Sequence, residues 1–166
     1  MHAQPPLARQ ASRGVTLIEL MITVAVLAVL MSIAAPSFRE IMESQRMRAA
    51  AFDLMADLTL ARNEALKRGN IPAPVTLSPA SADWAEGWSV TVGTEVLSQR
   101  NKVGSGVAPK LTPTNLAKLT FDRNGRVSNT TDVARFSLSN SSGTRKRCIS
   151  LDPSGRPKSS TAACPT

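Results

Sequence analysis

The chain has 166 residues, with 20 Lys and Arg against 12 Asp and Glu, for a formal net charge of +8. It contains one histidine, His2, and two cysteines, Cys148 and Cys164, which leaves no His-based nucleophile pair and no cluster of soft metal ligands. The carboxylates do not pair at a suggestive spacing and the glycines form no phosphate-cradling pattern, so neither an enzyme nor a cofactor carrier is expected.

Residues 1–14 read as a polar leader that holds Arg9 and Arg13 and no acid. Val15–Ala35 is then apolar except for Glu19. About 20 residues at roughly 1.5 Å each cross a hydrocarbon core of ~30 Å. Residues 15–36 therefore read as one transmembrane segment. The basic leader predicts that its own end stays in the cytoplasm and that the rest faces the periplasm or exterior. A secretory signal would have a shorter core without a carboxylate, and Pro36 follows Ala34-Ala35 where a cut would have to lie. A plain single-span anchor accounts for the length but not for Glu19. A charge in hydrocarbon costs a few kcal/mol even on insertion scales, so Glu19 asks for a partner. If the chain is cut after Gly14, a positive amine appears at Val15, one helical turn away.

Pro36 interrupts the apolar run without ending the helix and is expected to kink it. Across 37–70, Met47, Ala51, Leu54, Met55, Leu58, Ala61 and Ala65 recur at spacings of three and four, one stripe of an amphipathic helix. Arg46, Arg48, Asp53, Asp57, Arg62 and Glu64 are placed largely off the stripe. Lys67-Arg68-Gly69-Asn70 is a stop signal.

Residues 71–166 read as a β-rich globular domain. Strands are expected at Val75–Leu77, Trp88–Val92, Glu95–Ser98, Leu119–Phe121, Arg135–Leu138 and Cys148–Leu151. Turns are expected at Asn124-Gly125, Ser142-Gly143 and Ser154-Gly155, with residues 99–116 as a loose connection and no repeat visible. The fold class is α+β, a long helix lying across a small antiparallel sheet. Trp84 and Trp88 read as cover for the helix–sheet seam rather than a ligand platform.

Basicity is concentrated late, since residues 100–166 carry twelve bases and three acids. That points to a polyanion or an acidic partner surface. Arg145, Lys146, Arg147, Arg156 and Lys158 fall in or beside the loop that a Cys148–Cys164 bridge would close. Such a bridge is worth roughly 3 kcal/mol in the chain-entropy model and would hold the five cations near one another. Two free thiols are the alternative. Aromatic interleaving is missing here, so nucleic acid would be met through phosphates, independent of sequence and sensitive to salt. A solvated basic rim, or a dock for acidic neighbours, is the blander reading.

The order Gly14, a neutral residue, T-L-I-E-L, about twenty apolar residues, Pro36 and an amphipathic helix resembles the signal of type IV pilins and type II secretion pseudopilins. The segments A-R-N-E-A-L-K-R-G-N (61–70), W-A-E-G-W (84–88), L-T-F-D-R-N-G-R (119–126) and C-I-S-L-D-P-S-G-R-P-K (148–158) are similar to the GspH/FimT group of minor pilins. The resemblance implies a type IV pilin-like fold and removal of residues 1–14 by a prepilin peptidase, with N-methylation of Val15. It implies an inner-membrane subunit that enters a filament with other major and minor pilins when Glu19 pairs with a neighbour's amine. Pro36 belongs to the same assembly segment. FimT-like pilins carry a C-terminal Gly-Arg-x-Arg element associated with double-stranded DNA capture in natural transformation. Gly155-Arg156-Pro157-Lys158 departs from it by one Lys, which keeps the charge and loses the bidentate fork. The alternative is a GspH-like pseudopilin of a type II secretion system with a purely structural role.

Overall fold

The structure is a computed structural model that describes residues 14–69, 71–104, 107–112 and 116–165, with backbone alone at 108, 111 and 112. Leader residues 1–13, including His2, Arg9 and Arg13, lie outside the described residues, as do Asn70 and parts of the 99–116 connection. Contacts divide the chain into two units that meet at Arg39 and Glu40. One helix, α1, occupies Leu17–Arg68 and continues through Pro36.

In the first unit, Thr16 precedes the helix, and its Oγ1 accepts from the Glu19 backbone N–H at 3.3 Å. That caps one of the amides a helix N-terminus leaves unpaired. The segment is apolar all round and exposed, and it is long and apolar enough to cross a membrane. Its hydroxyls are answered locally: Thr23 Oγ1 donates to the Leu20 carbonyl at 2.8 Å and Ser32 Oγ to Val29 at 2.7 Å. Back-bonding of this kind hides polar groups where no water is present.

In the second unit, α1 buries Ser44, Met47, Ala50, Ala51, Leu54, Asp57, Leu58, Ala61 and Ala65. This is the expected stripe, with Met55 only partly buried beside it and one correction. Asp57 lies inside it, 2% exposed. The helix stops as expected. Gly69 takes a left-handed φ of 62° and its N–H returns to the Ala65 carbonyl at 3.0 Å, an αL cap that suits a residue without Cβ.

Among the described residues eight strands follow: β1 Val75–Pro79, β2 Trp88–Val92, β3 Glu95–Arg100, β4 Val107–Thr112, β5 Leu119–Phe121, β6 Arg135–Asn140, β7 Lys146–Leu151 and β8 Pro157–Ser160. They make two four-stranded antiparallel sheets, β3-β2-β1-β5 and β4-β6-β7-β8, where one sheet was expected. The six predicted strands are present. The two missed ones, β4 and β8, are both edge strands. Pro109 sits inside β4, where it breaks the strand signal although Val107 and Pro109 are buried on one face, and β8 opens on Pro157 and leaves its Lys and Ser residues exposed.

The core joins α1 to both sheets: Leu54 and Leu58 cluster with Val75, Leu77, Val90, Leu119 and Phe121 of the first and with Phe136, Leu138 and Ile149 of the second. A single helical turn at Trp84–Glu86 links the sheets. Trp84 packs its ring edge-on to Phe136, 4.8 Å between centroids and 77° between planes. Both tryptophans are buried, as the seam reading requires, but Trp88 also carries a polar duty. Its Nε1 donates to Asp57 Oδ2 at 2.9 Å. Ser98 Oγ donates to Oδ1 at 2.8 Å and Arg100 Nε to Oδ2 at 2.9 Å. The Arg100 pKa is raised, first by its hydrogen bond to Asp57.

Deleting Asp57 leaves the buried Trp88 Nε1 without its acceptor and removes one of the two acids that Arg100 meets. Asp57→Ala is predicted to cost about 2–4 kcal/mol, whereas Asp53→Ala, an exposed partner of the same Arg100, should cost less than about 1 kcal/mol. Urea unfolding of the full chain in neutral detergent, followed by tryptophan fluorescence, measures both. Equal costs would remove Asp57 from this role.

Candidate functional site

Two regions carry the functional residues read from the sequence, one in each unit. In the first, Gly14 and Val15 precede the helix and Glu19 sits in its first turn, on a segment whose apolar side chains face outward. Negative charge is favoured at that end of the helix dipole. Among the described residues the Glu19 carboxylate has no ion-pair partner, and Pro36 lies within α1.

In the second unit, Cys148 and Cys164 are bridged. The bridge does not gather the five cations. β7 and β8 form a hairpin in which Cys148 pairs with Ser160 and Leu151 with Pro157. Arg145, Lys146 and Arg147 stand at its open end, beside the bridge, while Arg156 and Lys158 stand at its turn. At about 3.3 Å per residue, Arg147 and Leu151 are roughly 13 Å apart along β7. The correction is therefore two basic groups instead of one, because a paired strand keeps its ends apart.

The turn group has company that the sequence reading missed. Residues 122–126 read D-R-N-G-R and residues 152–156 read D-P-S-G-R, a short repeated motif. The two turns are built alike. Asp122 Oδ1 accepts from the Asn124 and Arg126 amides at 2.8 and 2.9 Å, and Asp152 Oδ1 from the Ser154 and Arg156 amides at 2.9 and 3.0 Å. These are Asx-type turns, in which the carboxylate substitutes for a backbone acceptor. Each acid is thereby used inside its own turn, while Arg123, Arg126 and Arg156 are exposed and, among the described residues, have no side-chain partner.

The two turns touch. Gly155 has φ of 76°, and a Cβ there would meet the Gly125 carbonyl oxygen at 1.9 Å, so only glycine permits the approach. Arg62 of α1 braces the pair, its Nε donating to the Ser154 carbonyl at 3.0 Å. Four exposed cations, Arg123, Arg126, Arg156 and Lys158, thus surround one junction. Lys158 Nζ lies 3.7 Å from Asp152 Oδ2, a partial offset. The signal for Arg123 and Arg126 was the repeated D-x-x-G-R itself, too short to register as a repeat.

A family described as type II transport protein GspH matches residues 50–155. The chain belongs to the GspH family. The prokaryotic N-terminal methylation motif matches residues 9–35, the stretch that holds Gly14, Val15 and Glu19. Two crystal forms of the type IV minor pilin FimU of Pseudomonas aeruginosa share the fold. One aligns with a TM-score of 0.59 at 22% identity over 70% of this chain and 89% of FimU, the other with 0.54 at 23% over 68% and 91%. No curated protein matches. The GspH/FimT-type resemblance read from the sequence holds, as does the pilin-type fold.

The Asp152 carboxyl is lowered from its ordinary 3.8 to about 2, first by the Ser154 hydroxyl and then by the Arg156 amide. Its folded value is depressed, so its contribution to the turn is present above pH 3.8 and is lost as pH falls through about 2. NMR titration of the Ser154 and Arg156 amides should give a midpoint near 2. A midpoint at 3.8 would overturn the turn geometry as its cause.

Proposed function

We propose that this GspH-family chain is a minor pilin that works as a FimT-like subunit of a type IV pilus, in its assembly and in contact with extracellular DNA for uptake. One observation carries the assembly role. Glu19 sits in the first turn of an apolar helix whose side chains face outward, within a matched methylation motif. On this reading a prepilin peptidase cuts after Gly14 and methylates the Val15 amine. The subunit waits in the inner membrane with its globular unit in the periplasm. It enters the filament when the amine of a neighbouring pilin meets Glu19. Each charge then neutralises the other, and a subunit out of register leaves both unpaired in an apolar setting. The reading is non-enzymatic. Among the described residues no group of three or more His, Cys, Asp and Glu could hold a metal.

The DNA contact is assigned to the paired turns, where Arg156 and Lys158 are joined by Arg123 and Arg126. Phosphates of double-stranded DNA suit such exposed cations, and binding of this kind is independent of sequence. The second reading is a GspH-like pseudopilin with a purely structural role in type II secretion. It is favoured by the description of the family that matches and by the surface character of the turns.

Glu19→Ala is predicted to leave the subunit stable in the membrane and to abolish its recovery in sheared filaments. Normal incorporation of the variant would end the assembly role. For DNA, retardation of a duplex by the full chain in neutral detergent is predicted at about 50 mM salt, where phosphate contacts are strong. Arg156→Ala with Lys158→Ala should lower the slope of log affinity against log salt by about 2. An unchanged slope, or no retardation, favours the structural pseudopilin.

A further inference from the structure

The basic group at the open end of the hairpin lies on a different kind of surface. Ser44, Met47 and Arg48 of α1, the hairpin residues Thr144 to Arg147, and Thr161 of the tail line a cleft of about 250 Å3. That volume admits a single small anion and falls below the ~300–1,000 Å3 of typical drug-sized ligand pockets. Four cations and three hydroxyls face it, and no carboxylate lines it.

Other cations of the unit are compensated. Lys67, Arg68, Arg100, Lys102 and Lys158 each have an acid within ion-pair distance. Among the described residues, Arg48, Arg145, Lys146 and Arg147 have none. The nearby Glu43 is committed to the Ser141 amide and hydroxyl, at 3.3 and 2.7 Å. The walls are nonetheless held. Arg145 Nη1 donates to Ser44 Oγ at 3.3 Å and Arg147 Nη1 to Ser159 Oγ at 3.2 Å. The Cys148–Cys164 bridge fastens the tail that carries Thr161 to the strand that carries Arg147. Arg147 Nε remains buried without an acceptor. Several guanidiniums without ion-pair partners along one cleft are the arrangement that an oxyanion would complete.

We propose that this cleft is a seat for one phosphate group, gripped by Arg48, Arg145 and Arg147 with Lys146 and the Ser44, Thr144 and Thr161 hydroxyls as further donors. Guanidinium forks match the several oxygens of a phosphate in a way that one ammonium cannot. The seat is separate from the paired turns and stands whether or not those bind DNA.

Calorimetric titration of the full chain in neutral detergent with inorganic phosphate, against a chloride background, tests it. Saturable binding of one phosphate per chain is expected. Arg48→Gln and Arg147→Gln should each weaken it about tenfold or more, the loss of one charged hydrogen-bond partner. Arg123→Gln with Arg126→Gln, at the paired turns, should leave it unchanged. Unchanged thermal unfolding and an intact disulfide show that each variant is folded, and Arg48→Lys should recover part of the affinity. The source of the phosphate is read by competition. Displacement by a 5′-phosphorylated but not a hydroxyl-ended oligonucleotide assigns a nucleic-acid end. Displacement by phosphatidylglycerol but not phosphatidylcholine vesicles assigns a lipid headgroup, and displacement by neither assigns a small free phosphate. Absence of saturation, or equal weakening in the Arg123 and Arg126 variant, overturns the seat.

Discussion

Asp57 withdraws a carboxylate from water in the middle of the amphipathic half of α1, and the globular unit is arranged to answer it. Trp88 reaches it from β2, and Ser98 and Arg100 reach it from β3. Three donors from two strands fix where the helix lies along the first sheet, to which apolar contacts alone are indifferent over short slides. The hydrophobic stripe supplies most of the driving force, since burial scales with area and not with direction. The carboxylate supplies the register. A buried acid with all its donors in place tolerates one alignment and penalises the neighbouring ones.

The same helix carries a second carboxylate with the opposite fate. Glu19 sits where the chain offers apolar, outward-facing surface, and no described residue pairs with it. One acid is satisfied within the subunit and makes a fold. The other, on the proposed reading, is satisfied between subunits and makes a filament. The difference lies in what surrounds each position, since both are ordinary acids on one helix.

Charge on the globular unit is likewise set by what the acids are doing. Asp122 and Asp152 spend their oxygens on backbone amides within their own turns, which leaves the neighbouring arginines uncompensated. Gly125 and Gly155 then bring the two turns into contact. At the other end of the hairpin, Glu43 is occupied by Ser141, and the cations beside the disulfide face a cleft instead of a convex turn. A surplus that reads as one basic tail is two surfaces of different shape, with different demands on a ligand.

Much of this was legible in the chain. The apolar span with Glu19, the stripe from Met47 to Ala65, the stop at Gly69, six strands and three glycine turns all rest on local patterns, and each is present apart from the untested roles of Gly14, Val15, Glu19 and Pro36. Asp57 was misplaced although its spacing from Leu54 and Ala61 puts it on the buried face, because charge was weighed above period. β4 was missed because Pro109 reads as a strand breaker that an edge position tolerates, and β8 because a polar edge strand needs no apolar alternation. By itself the sequence determined the segmentation, the type of each element and the membership of the GspH family, since periodicity, apolar length and motif spacing act over a few residues. Only the tertiary structure decided that there are two sheets, that Asp57 is enclosed by Trp88, Ser98 and Arg100, and that the late cations form two groups. Those outcomes depend on which strands become neighbours, and strand pairing joins residues far apart in the chain.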